Sequence, residues 1–388
     1  MKRFTVTAFC AVLAIATALA ACAGCGGGPS TIKIGVIAEM TGPLSSVGLS
    51  CKQGADLAAK EINEAGGIDV GGRKMNVELV VRDCAGKPAR SAALVDELDK
   101  IDGLVAIIGP NATANAMPAA DRAEARKIVL VTPWSTSPKT TLTSAGKPKR
   151  YVYRTCVTAG YEGDQLAKFA RATLGAPGSA VIYDETAEVL RIQADEYVKG
   201  FKAAGGTVSA FEPFKPADKD FSAQLGRIKA AAPEVLFVCS YGENAPAILQ
   251  QARAAGITAQ FVGCDGWSSP EVIGRTGAAI EGSYVFNMYS PQMKDRRTRS
   301  FVKSFESRNN AVPDDVAALS YDSLNLLKLG IEKAGKADRA SVAQGMLKVR
   351  ELEGATGSMR FTADSRDPVR GAVILKAQGG GFDLFKQL

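Results

Sequence analysis

Four clusters of polar and small residues stand where the chain leaves short apolar runs, and together they suit the holding of a small charged molecule. Two are Gly109-Pro110-Asn111-Ala112-Thr113 after Leu104–Ile108, and Thr132-Pro133-Trp134-Ser135-Thr136 after Ile128–Val131. Backbone N–H groups at a helix start, joined by hydroxyls, bind a carboxylate. The other two are Cys239-Ser240-Tyr241 and Gly263-Cys264-Asp265-Gly266-Trp267. A carboxylate there beside a phenol suits an ammonium group, and charge-assisted hydrogen bonds contribute about 1.5–3 kcal/mol each. The chemistry is a grip on the two opposite charges of a zwitterion.

Covalent chemistry has little to work with. The chain contains no histidine, which excludes Ser-His-Asp and Cys-His arrangements and any His-ligated metal site. Gly146-Lys147 is followed by proline, so it is no phosphate-binding loop, and no G-x-G-x-x-G follows a strand. No metal site and no cofactor are expected. The formal charge of +7 is spread without a basic block interleaved with aromatics, so nucleic acid is not an expected partner.

These clusters need elements to hold them. Strands are expected at Ile32–Ala38, Asn76–Arg82, Leu104–Ile108, Ile128–Val131, Ala180–Tyr183, Val208–Phe211, Val235–Val238 and Gln260–Val262. Several are apolar without alternation, as in parallel strands buried on both faces. Helical segments alternate with them, such as Lys52–Ala65 and Ala245–Ala255, and Gly66-Gly67 and Gly205-Gly206 mark helix ends. Extended segments at Tyr151–Cys156 and Ser283–Met288 break the rhythm, and helices resume at Arg299–Ser307 and Leu319–Ala334. The expected fold is α/β, two doubly wound lobes joined by three hinge crossovers. In such sheets ligands bind beyond the carboxyl ends of the strands.

The chain opens with Met-Lys-Arg, an apolar run from Phe4 to Ala18, and Leu19-Ala20-Ala21-Cys22. A basic start, a short apolar core and small residues mark an export signal. The tetrad resembles a bacterial lipobox, which implies lipidation of Cys22; plain signal cleavage and a membrane span are the alternatives, the run being short for a span. Residues 1–21 then form a signal peptide and 22–30 a tether at a membrane surface. Five of the eight cysteines lie in the body: Cys51, Cys84, Cys156, Cys239 and Cys264. Outside the cytoplasm disulfides are favoured, so Cys51 with Cys84 is the expected pair, Cys239 with Cys264 a second, and buried thiols the alternative. Closing the 51–84 loop would contribute about 3–4 kcal/mol.

From about Ile32 to Phe385 the body resembles the type I periplasmic binding proteins of the branched-chain amino acid ABC transporter family. The likeness is carried by Ile34-Gly35-Val36-Ile37 with Met40-Thr41-Gly42-Pro43, and by Gln53-Gly54-Ala55 with Glu61-Ile62-Asn63-Glu64-Ala65-Gly66-Gly67-Ile68. It continues through Ile107-Ile108-Gly109-Pro110, Val131-Thr132-Pro133, Asp220-Phe221-Ser222 and Gln251-Ala252-Arg253-Ala254-Ala255-Gly256, ahead of Gln260-Phe261-Val262-Gly263. The resemblance implies an extracytoplasmic, non-enzymatic, monomeric protein that binds an amino acid between two lobes. It further implies hinge closure and delivery to permease subunits in the membrane. The expected lobes are 31–154 plus 286–354, and 155–285 plus 355–388.

The resemblance also places Thr113 and Thr136 on the ligand carboxylate, with backbone contacts from Trp134 and Ser135. Tyr241 falls on the family's phenol and Asp265 on its ammonium-binding acid. Val47 stands where the family has an aromatic, Thr186–Glu188 replace an expected tyrosine after Asp184, and Trp134 is larger than usual, so the ligand's side chain is not implied. Each residue has a plainer reading: Thr113 as a helix cap, Thr136 as a turn hydroxyl, Trp134, Tyr241 and Trp267 as packing, and Asp265-Gly266 as a turn pair. Glu188 is read as a ligand contact or a solvated helix-start acid. An amide- or aromatic-acid-binding protein and a sensory receptor share the fold. An extracytoplasmic hydrolase would need a Ser-Lys or Asp pair, for which no spacing presents itself.

Overall fold

The computed structural model describes residues 31–388; the leader, Cys10, Cys22, Cys25 and the tether lie outside them. The first sheet contains β1 (Thr31–Ala38), β2 (Ile68–Val70), β3 (Arg73–Asp83), β4 (Leu104–Ile108), β5 (Val129–Thr132) and β6 (Val152–Arg154). Their order is β2-β3-β1-β4-β5-β6, and all neighbours are parallel except the β2–β3 hairpin. All five residues of β4 are buried, which is why this strand reads as an unbroken apolar run. The helix Ser45–Glu64 lies against the helix Asp315–Ala334 so closely that a Cβ on Gly54 would meet the Ala317 carbonyl oxygen at 2.0 Å. Gly66 and Gly67 end the first of these helices at φ of +93° and +89°, the left-handed conformation that glycine adopts without strain.

The second sheet contains β7 (Gly178–Asp184), β8 (Thr207–Phe214), β9 (Val235–Cys239), β10 (Gln260–Gly263) and β11 (Tyr284–Asn287), which pair in parallel. Two further strands, β15 (Val373–Gln378) and β16 (Gly381–Gln387), add antiparallel on the β11 side, giving the order β16-β15-β11-β10-β9-β7-β8. A small antiparallel sheet, β12 (Glu351–Gly354), β13 (Gly357–Arg360) and β14 (Val369–Arg370), lies between them in sequence. Two parallel-dominated sheets, each covered by helices, make the two lobes.

The chain passes between lobes three times: after β6, after β11, and from β14 to β15. The last passage comes later than Gly354, the expected boundary, because Leu352, Met359 and Phe361 stay buried with the core of the first lobe. Arg370, on β14, fastens all three passages. It is 6% exposed, and its guanidinium donates to the carbonyls of Thr155 at 2.7 Å, Met288 at 2.8 Å and Thr356 at 2.8 Å.

The cysteine expectation fails. Cys51 and Cys84 are free and buried, as are Cys156, Cys239 and Cys264. Cys51 lies within the helix 45–64 and faces its sheet, while Cys84 joins a different apolar cluster with Leu94 and Leu98. The Cys239 thiol donates to the Leu190 carbonyl at 3.2 Å, and the Cys264 thiol to that of Ser240 at 3.1 Å. Burial pushes the Cys51 and Cys156 thiols up to about 12. These cysteines act as small apolar core residues. Among the described residues no helix is long and apolar enough to cross a membrane.

Candidate functional site

The carboxyl ends of β4 and β5 form the first wall. β4 leads through Asn111 into the helix Thr113–Arg126, whose start is partly occupied by the protein itself. The Glu39 carboxylate, fully buried, accepts from the N–H of Asn111 at 3.2 Å and of Ala112 at 3.1 Å, and from the Asn115 side chain at 3.0 Å. Asn111 and Ala112 therefore serve Glu39, contrary to their expected place on a ligand. The N–H groups of Thr113, Ser135 and Thr136 find no acceptor among the described residues. Ser135 donates to the Thr113 hydroxyl at 3.3 Å and shares a 2.7 Å bond with Thr140. Thr113 is not a cap, since the cap position is Ala112.

Arg154 holds this loop in place. Fully buried, it donates to the carbonyls of Ser135 and Ser137, to the Thr141 hydroxyl, and to Asp367 at 2.6 Å. Its guanidinium therefore shapes the loop while leaving the loop's N–H groups free. Trp134, half-buried, packs against the apolar cores of both lobes, and its indole N–H has no partner.

The ends of β9 and β10 form the second wall. Tyr241 is 44% exposed; protein crowding around its phenol raises its pKa, and the charge of Asp265 adds to this. Asp265 opens a short 3-10 turn, and its N–H donates to Glu162 at 2.8 Å. Burial raises the Asp265 carboxyl to about 6 and pushes Glu162 well above the usual carboxylate range, with the Asp265 charge adding to the latter. Their carboxyl oxygens lie within 4.8 Å, and an ionised Asp265 favours a protonated Glu162, so the pair carries a single negative charge near neutral pH. Trp267 is structural: fully buried, it donates its indole N–H to Ser240 and leaves no room for a Cβ on Gly263.

Ligand atoms of Glu162, Cys264 and Asp265 lie within 4.8 Å of one another. The set suits a metal poorly, because the Cys264 thiol is held protonated and donates to Ser240. Glu188, expected as a ligand contact, instead pairs with Lys139 at 2.5 Å, joining the second lobe to the first at the rim. Thr186, in the stretch that replaces the expected tyrosine, folds back onto Asp184 at 2.7 Å. The helix that packs against 45–64 starts where the lobes meet, with Val316 in the core of the first and Ala317 and Ala318 in that of the second, and at its start the Asp265 charge adds to the burial that raises the pKa of Asp315.

Both walls stand at the carboxyl ends of strands, where open α/β sheets bind their ligands. The family model for periplasmic binding proteins matches residues 31–381. The chain belongs to that family. The binding protein is 29% identical over 390 residues to the Leu/Ile/Val-binding protein homolog 3 of Brucella melitensis, covering 100% of this chain and 97% of that one. It is 30% identical over 332 residues to the Leu/Ile/Val-binding protein BraC3 of Rhizobium johnstonii, covering 85% and 87%. Among solved structures, a leucine-binding protein of Thermotoga maritima superposes with a TM-score of 0.81 at 28% identity, over 92% of this chain and 99% of that one. A branched-chain amino acid binding protein from Streptococcus pneumoniae, in complex with isoleucine, gives 0.80 at 26%, over 92% and 99%.

Four residues of the site escaped sequence reading: Glu39, Arg154, Glu162 and Asp315. Glu162 looks like an ordinary acid in the first turn of the helix Ala159–Ala172, where helix dipoles favour one. Only its burial, at 1% exposure, makes it unusual. A buried charge in a first turn is the signal that could have been sought, and it is visible only once the fold is known.

Proposed function

We propose that this binding protein captures an α-amino acid, branched-chain or a related one, between its lobes and delivers it to the permease of an ABC importer. The observation that carries the reading is the opposed chemistry of the walls. Thr113, Ser135 and Thr136 offer donors without acceptors, and Asp265 beside Tyr241 offers a charge without a cation. A zwitterion satisfies both, its carboxylate on the first lobe and its ammonium on the second. Closure would follow rotation about the three passages, since two-lobed binders gain affinity by burying ligand between domains. The proposed lobes are those named above from sequence, with the third passage at β14–β15. Lipidation at Cys22 would hold the mature protein, as a monomer, at a bacterial membrane outside the cytoplasm, and Cys22→Ser would release it into the soluble extracytoplasmic fraction.

The test is Asp265→Ala. Removing the acid leaves a desolvated ammonium unpaired, a larger loss than that of a rim contact. Binding should weaken about a hundredfold or more, roughly 2.8 kcal/mol. Thr136→Ala should cost less, because the backbone N–H groups remain. An Asp265→Ala variant that binds amino acids as wild type does would contradict the grip.

A further inference from the structure

Asp314 and Asp315 stand side by side at the start of the helix 315–334 and are used very differently. Asp314 caps the helix, accepting from the Ala317 N–H at 2.8 Å and from the Ser50 hydroxyl at 2.6 Å. Asp315 is 7% exposed, and its Oδ2 accepts no hydrogen bond among the described residues. The charges that reach it are those of Asp314 and Asp265, both negative, and Asp315 in turn reaches Glu162. The Tyr289 hydroxyl, which feels the charges of Asp314, Asp322 and Asp315, is likewise without a partner. Asp315 sits in the first turn, where the helix dipole favours an acid, yet that interaction leaves its Oδ2 without a donor. A buried carboxyl with an unused oxygen is instead a costly group that invites a donor.

The Asp265–Glu162 pair carries one negative charge near neutral pH and so matches one ammonium. Asp315 is left over, on the opposite lobe. We propose that Asp315 is a second acid seat of the cleft, and that it selects an amino acid whose side chain ends in a nitrogen donor: an amine, a guanidine or an amide. This rests on the zwitterion reading, with Asp265 taking the α-ammonium and Asp315 the side-chain nitrogen. Burial pushes the Asp315 carboxyl up to about 8. It is therefore able to accept from a cationic nitrogen by ionising, or to exchange hydrogen bonds with an amide while protonated.

Calorimetric titration of the wild type with L-leucine, L-lysine, L-arginine and L-glutamine tests this, alongside Asp315→Ala, Asp315→Asn and Asp265→Ala. The expected result is at least tenfold tighter binding of one nitrogen-bearing amino acid than of leucine. Asp315→Ala should weaken that ligand tenfold or more while changing leucine less than twofold, and Asp315→Asn, which keeps the shape, should penalise lysine and arginine most. Tightest binding of leucine in the wild type overturns the proposal. So does an equal loss for every ligand in Asp315→Ala, which marks a structural role, or no loss at all. If Asp265→Ala leaves every affinity unchanged, the zwitterion reading itself fails and the second seat falls with it. Loss in Asp265→Ala with no effect at Asp315 overturns the second seat alone.

Discussion

Replacing Arg370 with methionine should destabilise this protein strongly, and the reason lies in where three of its hydrogen bonds go. The guanidinium reaches Thr155 on the first passage, Met288 on the second and Thr356 beside the third, at 2.7, 2.8 and 2.8 Å. Methionine fills much of the volume and supplies no donor, so three buried carbonyls lose a charged partner at about 1–3 kcal/mol each. Asp322, which the Arg370 charge helps to keep ionised, remains held by the Ala355 and Thr356 N–H groups at 2.7 and 3.0 Å and needs no rescue. Relaxation of the passages offsets part of the loss, leaving roughly 3–5 kcal/mol, as for a broken buried ion pair. Arg370→Lys should recover little, because one ammonium on a flexible stem does not span three separate carbonyls. Urea unfolding read by circular dichroism measures the change, with the slope of the transition checked against wild type. A loss under about 1 kcal/mol in the methionine variant would refute the idea that one side chain ties the passages together.

Ligand affinity should fall as pH drops through about 6, where the Asp265 carboxyl takes up a proton, by up to about tenfold per pH unit; a flat profile between pH 7 and 5 would count against it. The sign reverses for the ligand-free protein: a carboxyl whose folded pKa is raised stabilises the fold at acid pH, and that stability is lost as pH rises through about 6. Asp265→Asn should therefore gain stability over wild type at pH 7 and not at pH 4, as thermal melts would show. Lys139 and Glu188 meet across the rim with side chains 62% and 49% exposed, so reversal at Glu188→Lys should speed ligand release less than about fivefold, the scale of 1 kcal/mol. Stopped-flow kinetics should find the effect erased by high salt and by the paired Lys139→Glu reversal, and unfolding unchanged. Peptide mapping after alkylation should label Cys51, Cys84, Cys156, Cys239 and Cys264 only once the protein is denatured, whereas a disulfide-linked 51–84 peptide would contradict the reduced core.

The sheets were largely legible because their strands are buried on both faces. Leu104–Ile108 reads as strand from five apolar residues alone and is found with those ends. By contrast β12 and β13 have four residues each, of which two in β12 and one in β13 are buried, too short a pattern to stand out. β16 alternates over mostly exposed positions, and the Gly379-Gly380 turn before it was a usable hairpin signal that went unread. The candidate ligand residues Thr136, Tyr241 and Asp265 were visible because strand ends are where open sheets bind ligands. Glu162 was not, since its partner lies 103 residues away. Glu39 fills the N–H groups of Asn111 and Ala112 from 72 and 73 residues upstream, so a motif that reads as free donors is already satisfied. The 51–84 pairing failed because strand-end position says nothing of the face on which each thiol lies.

The most direct test of the two-lobed zwitterion grip is calorimetric titration of the wild-type protein with an amino acid and with its N-acetyl and carboxamide derivatives. The free amino acid should bind reversibly, one per chain, while both derivatives, each lacking one charge, bind at least a hundredfold more weakly. Equal binding of the N-acetyl derivative would contradict the account, because Asp265 and Glu162 would then hold no ammonium.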